Sequence, residues 1–414
     1  MKILFVNHFP LTGSGSGVYT CNLAKSLRNK GHECAIIFPE NRKEYESYEG
    51  IELHPVFFKN KETIFGVGQA DFNFPCFTTH PRSLFTYKEM TDEQWVVYEK
   101  MFEDKIKEVI DDFKPDIVHA QHIWALAGIS ARCCREKGLP MVVTCHGTDL
   151  LGIMDEIEHD KDRGSGLAVE AAEYSYRIIS ISTDNTALMT ELLPEFKEKT
   201  IIIRNGADGS VFHKNDSVIK EEVLKGLGVD PDFDHVVSFV GKLTPMKNVE
   251  GLLYAASYYE KPGVVTLISG DGELRESLEE LTIKLGLKNI KFLGNQPHDV
   301  LSKIYNIADC SLILSKREAF GLVAIEAMMC GAPLIASDHG ALPEFVTKDV
   351  GILVDADKPG QIAEAVTSIL SGKKVFDRDL VAKKISDKFS QDSIIEEFIR
   401  VYEEAENTCA QDQN

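Results

Sequence analysis

The sequence lacks the features that mark several large classes of protein. Its nine cysteines form no Cys-x-x-Cys pair and most lie within apolar runs, so neither a zinc cluster nor a disulfide scaffold is indicated. No uninterrupted apolar run approaches the roughly 18 residues that a membrane-spanning helix needs. A first strand predicted from Lys2 leaves no room for a signal peptide. We therefore expect a cytoplasmic protein with reduced thiols and no transmembrane segment.

Basic side chains are also scarce relative to acidic ones. The chain has 45 lysines and arginines against 65 aspartates and glutamates, a formal charge of −20, and both of its halves are acidic. Nucleic-acid binding draws its affinity from clustered basic groups on phosphates, so this balance argues against a nucleic-acid partner. It also weakens the case for docking on an anionic membrane surface, without excluding it.

What the sequence does contain is one repeated pattern. Its 414 residues favour two domains. Short continuous apolar runs alternate with amphipathic stretches through both halves, a pattern typical of parallel sheets covered by helices on both faces. The predicted strands are KILFVN, ECAIIF, DIVHA, MVVTC, RIISIS and TIIIRN, then HVVSFVG, VVTLISG, NIKFLG, CSLILS, APLIAS and GILVD. We predict two Rossmann-like, doubly wound α/β domains of about six strands each.

The predicted boundary lies where strand pattern gives way to Gly, Asp, Asn and Ser, within residues 204–216. We place the first domain at residues 1–206 and the second at 207–390. A helix at 391–407 follows the completed second sheet, and we expect it to cross back to the first domain. The final residues after it are expected to be frayed.

Residues 57–98 interrupt the pattern with ten of the chain's 36 aromatic side chains. Pro75 and Pro81 break this segment, and no helical period holds before about Thr91. Such a loop either forms a lid or binding wall or covers one edge of the sheet. If it binds an acceptor, changes at Phe72, Phe74 and Phe77 should affect acceptor affinity more than donor affinity.

The most informative stretch is EAFGLVAIEAMMCG, residues 318–331. It follows the strand CSLILS, so its first residues form a turn at the carboxyl end of a parallel strand, where α/β sheets bind ligands. Gly321 permits close approach of the backbone, and the following helix presents its positive N-terminus. Glu326, within that helix, carries a carboxylate that can accept two hydrogen bonds from a vicinal diol. A solvated helix residue is the alternative reading of Glu326.

Lys242 and Lys247 lie in the turn after the first strand of the second domain, in FVGKLTPMKN. Two ammonium groups beside a helix N-terminus can neutralise a diphosphate. Alone, two lysines at this spacing are more often surface residues, but the neighbouring 318–326 stretch favours a phosphate-binding role.

Together these motifs resemble the retaining GT-B glycosyltransferases of family four, the group 1 type. The resemblance rests on the E-x7-E pair of Glu318 and Glu326, on VGK with a second lysine, on NGAD followed by Phe212, and on TCHGTDL at 144–150. It runs essentially from the Gly-rich loop to the closing helix. It implies two domains that face each other across a cleft. One departure is Lys242, where the family more often has arginine, whose bidentate fork a lysine lacks.

The resemblance also implies roles for individual residues. Glu326 would hold the nucleotide ribose, Glu318 the hydroxyls of the donor sugar, and Lys242 and Lys247 the diphosphate. The turn Phe320–Gly321–Leu322–Val323 would offer backbone N–H groups to phosphate and sugar. His146 would act from the first domain against the donor sugar or its leaving phosphate. Further donor contacts are expected from Gly15 and Gly17 of the TGSGSG loop and from Asn205.

Several alternatives accompany these assignments. His146 could be a buried structural histidine, and TGSGSG could be an ordinary flexible turn. His119 and His122 have the spacing of weak metal ligands, but no acidic third ligand accompanies them, and we expect no metal. Asp149 is a candidate for orienting the His146 loop.

The resulting hypothesis is a hexosyltransferase that moves sugar from a nucleoside diphosphate sugar to an acceptor hydroxyl with retention of configuration, without metal or other cofactor. Same-face attack assisted by the leaving phosphate is favoured, because no carboxylate is obviously placed as a nucleophile. A sugar-nucleotide epimerase or phosphorylase is the main alternative. A Rossmann oxidoreductase with Glu40 on a ribose and a non-catalytic sugar-nucleotide-binding regulator are weaker ones. A soluble acceptor is favoured over a lipid-linked one, while the donor base, donor sugar, linkage and oligomeric state stay open.

Overall fold

The computed structural model of the protein describes residues 1–60, 70–77, 80–159 and 161–412. The chain divides into two compact units. The first comprises Met1–Arg204 and Ile395–Asn414, and the second comprises Asn205–Ile394. The division at residues 204 and 205 lies two positions before the boundary expected from the sequence.

The first unit alternates strands and helices from its first residues. Its elements are β1 Lys2–Val6, α1 Gly15–Asn29, β2 Glu33–Glu40, β3 Ile51–Phe57, α2 Asp92–Phe113, β4 Ile117–Gln121, α3 Ala125–Lys137, β5 Met141–Cys145, α4 Thr148–Glu158, α5 Arg163–Tyr174, β6 Ile178–Ser180, α6 Thr183–Leu192 and β7 Thr200–Ile202. The seven strands pair in parallel in the order β3-β2-β1-β4-β5-β6-β7. β1, β4 and β5 are buried except at Lys2, as the continuous apolar runs require.

β3 is the strand that the apolar-run pattern did not identify. Its sequence IELHPVF mixes polar and apolar residues and includes Pro55, which cannot donate a backbone hydrogen bond. The strand lies at the edge of the sheet and pairs only with β2. An edge position tolerates both the proline and the partial exposure, so the first sheet has seven strands instead of about six.

The described part of the aromatic segment forms mainly core. Phe58, Phe72 and Phe74 are at most 8% exposed and pack with Tyr98 and Phe102. Phe72 and Phe74 are therefore core residues, and the expected effect of changing them on acceptor affinity stays a prediction. Of the same segment, Phe65 lies outside the described residues.

The second unit repeats the architecture. Its elements are α7 Lys220–Gly226, β8 His235–Val240, α8 Val249–Tyr259, β9 Val264–Ser269, α9 Arg275–Lys284, β10 Ile290–Gly294, α10 His298–Ile307, β11 Cys310–Ile313, α11 Leu322–Met329, β12 Leu334–Ser337, β13 Gly351–Val354, α12 Pro359–Leu370, α13 Arg378–Phe389 and the start of α14 Gln391–Asp412. Six parallel strands follow the order β10-β9-β8-β11-β12-β13. All six strands predicted for this half are present.

The closing helix α14 belongs to the first unit from Ile395 onward. Phe398 and Tyr402 are fully buried there, and the Tyr402 hydroxyl lies 2.7 Å from Nδ1 of His119. The helix continues through Asp412, so the expectation of a frayed tail after residue 407 is wrong over its described part. The Cys409 thiol donates to the carbonyl oxygen of Gly138 at 3.4 Å, a contact with the first unit that anchors the last turns.

Among the described residues, no helix combines the length and the apolar character that crossing a bilayer requires.

Candidate active site

In both sheets the strand order reverses beside the first strand, between β1 and β4 and between β8 and β11. Ligands of open parallel sheets bind at such a switch point, outside the carboxyl ends of the strands. In the second unit the loops at this point are residues 241–248 after β8 and 314–321 after β11. These loops carry the lysines and the first glutamate singled out from the sequence.

Lys247 and Glu318 lie together at the second unit's switch point. Nζ of Lys247 is 2.5 Å from Oε2 of Glu318, and the Ser315 hydroxyl donates to the same oxygen at 2.9 Å. The two charged side chains are 26% and 15% exposed. A partly buried carboxylate is thus held in place by one cation and one hydroxyl.

The loop after β12 supports Glu318 from its main chain. The backbone N–H of Ala341 donates to the carbonyl oxygen of Glu318 at 2.9 Å. Gly340 has φ +64°, and a Cβ there would lie 2.5 Å from that same oxygen. Only glycine fits this position, so Gly340 is a positioning residue that the sequence analysis missed. Its signal was the turn sequence SDHGA after a buried strand.

Gly321 provides the left-handed turn that starts α11. Its φ is +93°, and no side chain caps the helix. The backbone N–H groups of the first turn, at Leu322 and Val323, are therefore not covered by a capping side chain, and both residues are partly exposed. Such a helix start attracts anions through its dipole and its N–H groups. Phe320 itself is 3% exposed and packs on Phe345 and Phe389, so its side chain is core.

Glu326 lies in the second turn of α11 and is partly exposed. Desolvation raises the pKa of its carboxyl to about 7, and the nearby Tyr305 hydroxyl opposes that shift. The carboxyl therefore exchanges its proton near neutral pH. A pKa raised by desolvation distinguishes Glu326 from a fully solvated helix residue.

Lys242 is exposed, and its loop is shaped by a neighbouring turn. A Cβ at Gly270 would lie 1.9 Å from the carbonyl oxygen of Gly241, and a Cβ at Gly272 would lie 2.4 Å from that of Leu243. The backbone N–H of Leu243 donates to the carbonyl oxygen of Asp271. The two glycines were not selected from the sequence, although Gly-Asp-Gly directly after a strand was a usable signal.

Asn205 begins the second unit and is 5% exposed. Its side-chain oxygen Oδ1 is buried and has no hydrogen-bond partner in the described part of the chain. A buried amide without a partner costs free energy unless a ligand or water satisfies it.

In the first unit, the TGSGSG loop leads directly into α1. Ser14 caps the helix by accepting from the N–H of Gly17 at 3.0 Å, while Gly15 is exposed at its first position. A Cβ at Gly17 would lie 2.3 Å from the carbonyl oxygen of Pro10. Gly17 is therefore required by packing, whereas the position of Gly15 leaves its N–H at an exposed helix start.

His146 follows β5, and Nε2 of its ring lies 2.8 Å from Oε1 of Gln121 at the end of β4. Burial lowers the pKa of His146 to about 3, so the ring is neutral at neutral pH. Asp149 holds this loop by accepting from the backbone N–H groups of Ile123, His146, Gly147 and Leu150 at 2.8–3.3 Å. Burial raises the pKa of Asp149 to about 6 against those hydrogen bonds.

Two further histidines accompany His146 and were not placed there from the sequence. His8 follows β1, with Nδ1 2.7 Å from the carbonyl oxygen of Gln121 and Nε2 accepting from the N–H of Leu126. His122 follows β4 at φ +70°, and its ring lies 4.7 Å from that of His146. Desolvation lowers the pKa of both rings, to about 3 for His8. The cluster of His8, His122 and His146 is thus a largely buried group of neutral imidazole rings at the first switch point.

The structure separates the two histidines considered as metal ligands. Both ring nitrogens of His119 are engaged, by Tyr402 and Thr144 at 2.7 Å each, whereas His122 faces the other histidines. No group of three metal-binding side chains occurs in the described ranges.

Glu40 is also unavailable for the ribose role considered from the sequence. The side chain is 3% exposed and forms a buried ion pair with Arg82, and its Oε1 also accepts from the N–H groups of Asn41 and Arg42. Its function is therefore structural. Arg82 in turn donates to the carbonyl oxygen of Thr12 in the Gly-Ser loop at 3.3 Å.

Two family models match the chain. The model described as Glycosyltransferase Family 4 matches residues 13–210, and the model described as Glycosyl transferases group 1 matches residues 228–385.

Two curated relatives illustrate the similarity. An uncharacterized glycosyltransferase of Methanocaldococcus jannaschii is 29% identical over 97% of this chain and 98% of its own length. A D-inositol 3-phosphate glycosyltransferase of Segniliparus rotundus is 30% identical over 63% of this chain, and the match spans 59% of that relative.

Solved structures share the fold at low sequence identity. Sucrose-phosphate synthase from Thermosynechococcus elongatus matches with a TM-score of 0.74 and 18% identity, over 98% of each chain. The HepE protein of Anabaena in complex with UDP and glucose matches with a TM-score of 0.72 and 19% identity, over 97% of this chain and 98% of that one. With two parallel-sheet α/β units and both family models matched, the chain belongs to the group 1, family four glycosyltransferases of the GT-B fold.

Proposed function

We propose that this glycosyltransferase transfers a hexosyl group from a nucleoside diphosphate sugar to an acceptor hydroxyl with retention of anomeric configuration, and that it does so without a metal ion or other cofactor. The observation that carries the proposal is the Lys247–Glu318 pair at the β8/β11 switch point, beside the uncapped start of α11. The pair places a cation that can bind phosphate and a carboxylate that can bind a sugar hydroxyl at one sheet edge.

Donor binding follows from the chemistry of these groups. Lys247, Lys242 and the first-turn N–H groups of α11 would neutralise the diphosphate, with no metal required. Glu326, when ionised, would accept two hydrogen bonds from the ribose diol. Asn205 would offer its buried amide to the donor. The HepE structure in complex with UDP and glucose supports a nucleotide-sugar donor for this fold.

The proposed reaction is same-face displacement at the anomeric carbon. The bond from that carbon to the diphosphate oxygen breaks while the acceptor oxygen bonds from the same side, and the departing phosphate takes the acceptor proton. Stabilisation of the leaving-group charge by Lys247, Lys242 and the α11 N-terminus would lower the barrier. Glu318 is engaged by Lys247 and Ser315, which favours holding a sugar hydroxyl over nucleophilic attack.

His146 is proposed to assist from the first unit as a neutral hydrogen-bonding group. The low pKa of His146 argues against a positively charged imidazole beside the leaving phosphate. Asp149 would act as a positioning residue, because it fixes the backbone on both sides of His146.

A reducing compartment such as the cytoplasm is proposed for the protein. All nine cysteines lie in the described ranges, none forms a disulfide, and eight of them are buried. Burial raises the pKa of most of these thiols, which keeps them protonated and unreactive.

The donor site is tested by titrating UDP, ADP and GDP and their glucose conjugates against wild type and two variants, Lys247→Ala and Glu326→Ala. Thermal shift identifies the nucleotide, since a ligand that binds only the folded state raises the melting temperature. Calorimetry then measures affinity. Loss of one hydrogen bond to a charged group should weaken binding about 30-fold in each variant.

Lys284→Ala and Glu364→Ala are matched controls, because both side chains are exposed on other helices of the same unit. They should bind and react as wild type does. Full activity in both Lys247→Ala and Glu326→Ala would overturn the donor site. Release of nucleoside diphosphate only when an acceptor is present would separate a transferase from an epimerase, and dependence on inorganic phosphate would favour a phosphorylase.

A further inference from the structure

A cavity of about 470 Å³ lies within the first unit, and every residue that lines it belongs to that unit. Its walls come from the aromatic segment, from Trp124 after β4, and from α4 and the start of α5. Cavities of this size hold small molecules.

The inner wall of the cavity is aromatic and preformed. Phe77, Tyr87, Trp95 and Trp124 line it, with Phe77 and Trp124 ring centroids 5.5 Å apart and Tyr87 stacked on Trp95 at 5.7 Å. A Cβ at Gly152 of α4 would lie 3.0 Å from Cδ1 of Phe77. The glycine therefore lets the helix approach the ring closely without displacing it.

The outer wall is charged, and two of its three cations are paired with carboxylates. Lys88 pairs with Asp155, and Arg163 pairs with Glu99 at 2.8 Å and lies over the Trp95 ring. The ammonium of Lys161 donates to the carbonyl oxygen of Lys88. Four carboxylates line the cavity against these three cations, namely Asp92, Asp155, Glu156 and Asp162. An anionic group would meet a wall of net negative charge, in which two of the three cations are already paired with carboxylates.

One polar atom of the aromatic wall lacks a partner. Nε1 of Trp124 is buried and forms no hydrogen bond to any described residue, and the residue as a whole is only 1% exposed. A buried donor without an acceptor costs free energy, and solvent does not reach this nitrogen from the cavity. The cavity also adjoins the histidine cluster, because Phe77 lies 5.5 Å from the His122 ring.

We propose that this cavity binds the acceptor and that the acceptor is an uncharged sugar ring. The apolar face of a pyranose would pack on the aromatic wall, while its hydroxyls would donate to the carboxylates. A phosphorylated ring is disfavoured by the negative outer wall. The proposal rests on the proposed transfer reaction for the ligand's role as acceptor, but the binding site itself can be tested separately.

Tryptophan fluorescence reports directly on this cavity, because Trp95 and Trp124 are the only two tryptophans in the chain and both line it. Methyl α-glucoside, methyl α-mannoside, methyl β-galactoside and myo-inositol are titrated against the full-length protein, followed by glucose 6-phosphate, mannose 6-phosphate and inositol 3-phosphate. We expect a saturable change with at least one uncharged ring and at least fivefold weaker binding of its phosphorylated counterpart.

Gly152→Ala and Gly166→Ala form a matched pair. Both glycines lie in helices of the first unit, but a Cβ at Gly166 meets no atom within 4 Å, whereas one at Gly152 presses on Phe77. Gly152→Ala should weaken sugar binding at least fivefold, and Gly166→Ala should leave it unchanged. Asp155→Asn releases Lys88 and should narrow or reverse the preference against the phosphorylated ring.

The result that overturns the inference is a fluorescence response to phosphorylated rings that equals or exceeds the response to uncharged ones, or no saturable response to any member of the panel. Thermal stabilisation by nucleoside diphosphates is measured on the same samples. If it persists while tryptophan emission never changes, the cavity assignment fails and the donor site stands. If sugars bind the cavity but no nucleotide stabilises the protein, the proposed function fails instead.

Discussion

At Glu326, the surroundings change the chemistry of a single side chain. The carboxyl has an ordinary pKa of 4.5, and desolvation inside the second unit raises that pKa to about 7. Between pH 4.5 and about pH 7, the folded protein therefore keeps a proton on Glu326 that the unfolded chain has released. A residue proposed to bind a ribose diol thus lowers the stability of the free protein at neutral pH, a cost common at ligand sites.

Glu326→Gln should stabilise the protein in a pH-dependent way. Because the folded-state pKa is raised, the penalty for ionising Glu326 is absent below about pH 4.5, grows as the pH rises, and is complete above about pH 7. The shift of about 2.5 pKa units corresponds to at most about 3 kcal/mol, less because the side chain keeps some contact with water. Urea denaturation of the variant and wild type at pH 5 and pH 8 measures it.

The exposed Glu364 of α12 provides the control for that measurement. Glu364→Gln should change the free energy of unfolding equally at both pH values. A stability difference for Glu326→Gln that is the same at pH 5 and pH 8 would contradict the raised pKa.

At the scale of elements, α11 depends on the residue that precedes it. The chain leaves β11, passes through the Glu318 turn and enters the helix through Gly321 at φ +93° and ψ +61°. An L-residue adopts this left-handed conformation only at a cost. The same glycine also sits close to the turn, since a Cβ there would lie 3.1 Å from both Cγ of Glu318 and Cδ2 of Leu342.

Gly321→Ala should therefore reduce both stability and donor affinity. The left-handed backbone costs about 1 kcal/mol for alanine. Relief of the contact with Glu318 would displace that side chain and weaken nucleoside diphosphate sugar binding, by an expected tenfold or more. Denaturation and calorimetry on the same samples measure the two effects.

Gly228→Ala separates the effect of the left-handed backbone from the effect of the contact with Glu318. Gly228 also has a left-handed backbone, with φ +69°, but a Cβ there would meet no atom within 4 Å. It should lose a similar amount of stability and keep full donor affinity. Equal losses of affinity in the two variants would mean that Gly321 acts only through general stability.

At the scale of the whole molecule, a chain of formal charge −20 is proposed to bind a polyanionic donor. Attraction must then come from a few local groups, chiefly Lys242, Lys247 and the start of α11, against repulsion from the rest of the surface. These contributions differ in range. Screening length falls from about 30 Å at 0.01 M salt to about 8 Å at 0.15 M, so salt removes the distant repulsion first.

The rate of donor association should consequently rise with ionic strength between 0.01 and 0.15 M, by about twofold, whereas electrostatically steered binding normally slows. Stopped-flow mixing with a fluorescent nucleoside diphosphate measures this rate. Lys242→Ala should bind more slowly while keeping the same direction of salt dependence. A steep fall in rate with added salt in the wild type would show that the local positive groups dominate the field.

The sequence by itself determined the alternation of parallel strands and helices in both units, because strands buried on both faces must be continuously apolar. It also located Lys247, Glu318 and Gly321 at a sheet edge, since residues after a parallel strand lie at its carboxyl end. The edge strand β3 escaped this reasoning. Its polar residues and Pro55 are tolerated only because it has a single neighbouring strand.

Only the tertiary structure decided which polar residues remain available for a ligand. Glu40 ends strand β2 and Glu326 lies in helix α11, both near a sheet edge. Glu40 forms an ion pair with Arg82, whereas Glu326 is not paired with any cation in the described residues. Likewise, Phe72 is core while Phe77 lines a cavity. Local sequence cannot specify such partners, because they come from segments distant along the chain and are fixed only when the core packs.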